Sequence, residues 1–115
     1  MKIYTASKTA HAEKWRVLRR EHDVTASWID EAGEGQTTDY SELATRCITD
    51  IESADILLLY CEPGELLKGA LIEAGIALAL GKQVRCVGKC ASLSRVFNRH
   101  PLWRQFATVK EALDA

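Results

Sequence analysis

The run Asp55–Cys61, DILLLYC, constrains the fold of this chain more than any other stretch. Its continuous apolar core, Ile56 to Tyr60, leaves no polar position on either face of an extended strand. A strand of that kind is buried on both sides, as at the centre of a parallel sheet covered by helices. The rest of the chain alternates accordingly. Lys2–Ala6 and Val24–Trp28 read as strands, and Ala10–Glu21 and Asp39–Ala54 as helices. Ser7 or Thr9 is expected to cap the first helix, and Asp39 with Glu42 to form a capping box on the second. Gln83–Val87 and Phe106–Val109 are further strands, and Lys110–Asp114 is a closing helical turn. Gly88–Arg99 has no clear period; Val96 and Phe97 are the residues that could anchor a turn there. This order predicts a three-layer α/β domain over residues 1–115, with a flavodoxin-like parallel five-stranded sheet of order 2-1-3-4-5 and helices on both faces.

Such sheets bind ligands beyond the carboxyl ends of their strands, at the switch point between the first and third. Four segments are expected to meet there: Ala6–Thr9, Trp28–Thr38, Cys61–Gly69 and Gly88–Ser92. The helix over Leu66–Lys82, LLKGALIEAGIALALGK, starts at the same edge. Between Ala70 and Leu80 its only polar side chain is Glu73. A helix this apolar is expected to be packed inside, and a carboxylate there needs a partner or a task. It is either a functional group presented to a ligand or a structural one bonded to a backbone amide or a lysine.

Other polar groups fall at the same edge. Ser7, Lys8, Thr9 and His11 could form a phosphate or carboxylate site at a helix start, or could simply cap it. Trp28, Asp30 and Glu31 open the long loop Ile29–Thr38, where an aromatic ring beside two acids could stack on a base and bond a sugar hydroxyl. Equally, Trp28 could be core and the acids solvated. Trp15 reads as core, Trp103 as core or interface, and Arg95–Arg104 as a surface or subunit contact.

Composition removes several function classes. Fifteen basic and sixteen acidic residues give a net charge of -1, no footprint for a nucleic-acid polymer or an anionic membrane. No apolar run approaches the roughly 20 residues that span a bilayer. The start of the chain lacks the apolar region of a secretory signal, so a cytoplasmic location is expected. Cys47, Cys61, Cys86 and Cys90 have neither disulfide-framework nor zinc-site spacing and read as free thiols in apolar surroundings.

Gly69–Lys82, G-x-x-x-E-x-G-x-A-x-A-x-G-K, together with KIYTAS and DILLLY, resembles the nucleoside 2-deoxyribosyltransferase family and its nucleoside-hydrolysing relatives. The resemblance implies an enzyme acting on a small nucleoside or nucleotide, with no metal or organic cofactor. It implies Glu73 as the nucleophile at the sugar's anomeric carbon and Tyr4 as the residue that orients it. It also implies Gly69 opening the presenting helix, Gly75 and Ala77 packing that helix on the sheet, and a homo-oligomer. Two positions depart from the pattern: Ala70 replaces a threonine, and Leu67 replaces an acid that holds the sugar. Glu62 or Glu65, in the preceding turn, are the acids nearest to supply that role. The departures leave a second reading, a non-catalytic nucleotide-binding module on the same fold.

Overall fold

A computed structural model describes residues 1–32, 37–90 and 95–115. Its sheet has five parallel strands, β1 (Lys2–Ala6), β2 (Asp23–Val24), β3 (Ile56–Tyr60), β4 (Gln83–Val87) and β5 (Trp103–Phe106), in the order β2-β1-β3-β4-β5. The expected architecture is therefore present, and β3 lies between β1 and β4 with Ile56–Leu59 buried. Full burial of each such side chain is worth about 1.5–3 kcal/mol. Among the described residues four α-helices connect and close the sheet: α1 (Ala12–Leu18), α2 (Tyr40–Ser53), α3 (Gly69–Ala79) and α4 (Val109–Asp114). Right-handed crossovers send the chain one way through α1 and the other way through α2 and α3. As a result α2 and α3 lie side by side over one face, and α1 and α4 share a cleft on the other.

Several local expectations are corrected. The strand expected over Val24–Trp28 ends at Val24, and Ser27–Asp30 is a 3-10 turn. Asp50, from α2, accepts hydrogen bonds from both the Ser27 amide (3.0 Å) and hydroxyl (2.7 Å), which draws the backbone out of the sheet. No side chain caps α1, which begins at Ala12 after a 3-10 turn over Thr9–His11. Ser7 instead donates to the Lys8 carbonyl and accepts from Trp15 Nε1. Asp39 does cap α2, accepting from the Glu42 amide at 3.0 Å, but the Glu42 carboxylate turns to Arg46 and leaves the box half formed. The last strand comes earlier than expected, at Trp103–Phe106; the short turn expected near Val96 and Phe97 does form, as a 3-10 turn over Phe97–Arg99, with both side chains exposed. Parts of two expected binding segments, residues 33–36 and 91–92, lie outside the described residues.

The largest correction concerns α3. Ala70, Ala74 and Ala77 face the core, whereas Ile72, Gly75 and Leu80 are exposed. The helix therefore has a solvent side despite its apolar sequence. Gly75 is on it, with nothing within 4 Å of where a Cβ would stand. Close approach is instead required of Gly88, just beyond β4. Its φ is +89°, and a Cβ there would stand 2.1 Å from the Cys61 carbonyl oxygen.

These two glycines give opposite expectations. Gly88→Ala combines a left-handed backbone with a backbone clash and lowers stability by more than about 2 kcal/mol. Gly75→Ala adds a better helix former at an open site and raises stability by up to about 1 kcal/mol. Urea unfolding of both variants beside the parent checks the pair; a costly Gly75→Ala would mean that this face is packed.

Candidate active site

β1 and α3 bring together two side chains 69 positions apart in the chain. Side chains alternate along a strand, and Tyr4 is fully buried under α3 while its hydroxyl donates to Glu73 Oε2. Glu73 lies one turn into α3, on the boundary between the core-facing alanines and the exposed Ile72. It is half-buried and lines a cavity of about 900 Å³ that opens beyond the carboxyl ends of the strands. That volume falls within the range of small-molecule sites. Among the described residues no lysine, arginine or histidine forms an ion pair with Glu73. Burial pushes its carboxyl up to about 8, because the charged form loses hydration without a cation to offset it. The Tyr4 hydroxyl works in the other direction, donating to the ionised form.

The cavity divides by chemistry. One wall is apolar, built by Leu43, Cys47 and Ile48 of α2 with Ile72 and Ile76 of α3. Ser7, Lys8 and Thr9 form the rim beyond β1, and Lys68 stands opposite at the start of α3 beside Gly69. Trp28 contributes from a fixed position: it is buried, and its indole Nε1 donates to the Thr5 carbonyl at 2.8 Å. Trp28 is thus both core and cavity wall. Glu31 also lines the cavity, and Arg46 holds it by donating to both of its oxygens. Arg46 donates as well to Glu42 and to Ser27, tying the segment after β2 to α2. The Arg46 hydrogen bonds keep Glu31 below the usual carboxylate range.

Of the residues singled out in the sequence, Glu73, Ser7, Lys8, Trp28, Glu31 and Gly69 line this cavity, and Tyr4 touches Glu73 from beneath. Two others lie elsewhere. Asp30 points outward into a two-bond pair with Arg19, at 2.8 and 2.9 Å. Glu62 accepts from the Tyr60 hydroxyl at 2.6 Å and stands near His11, outside the cavity lining. Lys68 was missed, although a lysine directly before a helix-opening glycine is a readable anion-site signal. Arg46 was missed because nothing in its spacing announces that it faces Glu31. None of the four cysteines is in a disulfide, and Cys47 belongs to the cavity wall.

A half-desolvated carboxylate that faces a cavity and is held by a phenol can add to an electrophilic carbon or move a proton. No family model and no curated protein sequence matches the chain. Among solved structures it is similar to the Clostridium botulinum CMP N-glycosidase BcmB, with a TM-score of 0.62 and 16% identity over 99% of this chain and 96% of that one. The likeness establishes the fold alone, a parallel five-stranded α/β architecture with helices on both faces.

Burial of Glu73 carries a stability signature. Its folded pKa, about 8, lies above the ordinary 4.5. Between those values the folded state keeps a proton that the unfolded chain has released, so stability falls as pH rises. Glu73→Gln preserves an acceptor for Tyr4 and removes that penalty. The variant is expected to be more stable than the parent at pH 8, by on the order of 2 kcal/mol, and to match it near pH 4.5. Urea unfolding across that range checks the sign, and an equal pH slope in both proteins would refute the burial argument.

Proposed function

We propose that this chain cleaves the N-glycosidic bond of a nucleoside or nucleotide, with Glu73 as the nucleophile. The observation that carries the reading is the Glu73 carboxylate itself: half-buried, bonded to Tyr4, without an ion-pair partner among the described residues, and open to a cavity of small-molecule size. In this reading the ionised carboxylate attacks the anomeric carbon as the bond to the base breaks. The base leaves with the bonding electron pair and takes up a proton. Water then attacks the glycosyl ester, releases the sugar and restores the carboxylate; a second base in place of water would give transfer instead. Tyr4 keeps its proton and fixes the direction of the attacking oxygen. The nucleophile must be ionised, so kcat/KM of the free enzyme rises with pH toward about 8.

The remaining cavity groups suit a nucleotide. Lys8 and Lys68, with the first amides of α3 at Gly69, offer positive charge for a 5'-phosphate. Trp28 offers a ring face for the base, and Glu31 an acceptor for a hydroxyl or a ring amine. BcmB, whose fold this chain shares, is described as acting on CMP. The exposed Tyr40, Leu66 and Ile72 at the cavity mouth would, in this reading, be covered by a second copy of the chain in a homo-oligomer. One feature favours the alternative, a nucleotide-binding module without catalysis. Leu67 is buried where the resemblance calls for a sugar-holding acid.

A panel of nucleosides and 5'-nucleotides, assayed for released base, separates the readings. Turnover by the parent is expected to fall at least 1,000-fold in Glu73→Gln, on the order of losing a covalent nucleophile. Lys8→Ala and Lys68→Ala are expected to raise KM for 5'-monophosphates about tenfold, as for a lost charged hydrogen bond, with little change for nucleosides. No turnover of any substrate, with tight binding of one retained by Glu73→Gln, would establish the binding module instead.

A further inference from the structure

Away from Glu73, a second cluster of chemically able side chains joins two turns of the sheet edge. We propose that His11, Glu62 and Glu65 bind a divalent transition-metal ion of the zinc class. One ligand atom from each lies within 4.8 Å of the others. His11 Nε2 is 2.8 Å from Glu65 Oε2, a hydrogen bond that an ion between the two would replace, and 3.9 Å from Glu62 Oε1. Zinc bonds of about 2.0–2.2 Å to nitrogen and oxygen place neighbouring donors roughly 3.3–3.6 Å apart, so the two distances bracket what a shared ion needs. Small side-chain rotations would close the set.

The surroundings hold these donors in place. The second oxygen of Glu62 accepts from the Tyr60 hydroxyl at 2.6 Å, and the second oxygen of Glu65 accepts from the Glu62 amide at 2.8 Å. Each carboxylate therefore keeps its other oxygen turned toward the imidazole, the outer support common to ligating carboxylates. The His11 ring is also fixed, edge-on to Tyr60 with centroids 5.1 Å apart. Two carboxylates facing one imidazole leave negative charge that a cation would neutralise. The imidazole selects against calcium and magnesium, which prefer oxygen alone, and toward zinc and its neighbours. Glu62 is the more exposed ligand, at 47%, and gives an ion a way in, while His11 and Glu65 are at 13% and 17%.

The position has a consequence for the cavity. Ala10 and Leu66, each next to one of these ligands in sequence, line it. An ion here would tie the turn after β1 to the turn after β3 and so fix two sides of the cavity rim. This proposal stands independently of what Glu73 does.

Calorimetric titration of chelator-treated protein with zinc chloride tests it, with His11→Ala, Glu62→Gln and Glu65→Gln beside the parent. The parent is expected to bind one equivalent with micromolar affinity, and each variant to lose at least about tenfold. The glutamine variants keep side-chain size, so they carry the test if His11→Ala does not fold. Cobalt substitution identifies the ligands, because only a cysteine site gives a thiolate charge-transfer band. No saturable binding below millimolar zinc, unchanged affinity in the variants, or a thiolate band would each overturn the proposal.

Discussion

A phenol in the sheet donating to a carboxylate in the helix above it is the contact on which the rest of the site depends. Tyr4 and Glu73 are 69 positions apart in the chain. They meet only because β3 pairs beside β1 and α3 then crosses back over both. The same crossing starts α3 at the carboxyl edge of the sheet, so its fifth residue faces the cavity while Ala70, Ala74 and Ala77 face the strands. The geometry sets two effects against one another. Burial disfavours the charge on Glu73, and the Tyr4 hydroxyl favours it. A carboxylate held between those effects stays basic enough to react and can still ionise near neutral pH.

Around that pair, the cavity separates apolar contact from charge. The α2 and α3 side supplies packing surface, the turns after β1 and before α3 supply lysines, and Glu31 supplies an acid held by Arg46. This is the division a nucleotide would need, with a flat base, a sugar and an anion in different chemical zones. The likeness to a CMP N-glycosidase establishes the architecture at 16% identity. The chemistry has to be argued from the residues, because one fold hosts many activities.

The parts of the fold that could be read from the sequence were those fixed by local hydrophobic patterning. Ile56–Tyr60 and Gln83–Val87 appear as strands where their apolar runs place them, and Asp39 caps α2 as its side-chain chemistry suggests. Expectations failed where a distant side chain captured the backbone or a donor. Asp50 pulls Ser27 out of the second strand, and Trp15 takes the Ser7 hydroxyl that should have capped α1. Gly75 was misread because an alternation of Gly and Ala looks the same whether it faces a sheet or solvent. In the candidate site, Glu73 was legible as a lone carboxylate in an apolar helix. Asp30 and Glu31, neighbours of similar chemistry, could not be told apart: Arg19 takes one outward and Arg46 holds the other at the cavity.

The central claim is that Glu73 bonds covalently to a sugar carbon. Its most direct test is mass spectrometry of protein quenched after incubation with 2'-fluoro-2'-deoxyarabinosyl nucleotides, whose fluorine slows breakdown of a glycosyl ester. The account predicts a mass increase equal to the fluorinated sugar phosphate less one water, mapped to the peptide containing Glu73 and absent from Glu73→Gln. Base release without any adduct, or an adduct on another residue, would contradict it.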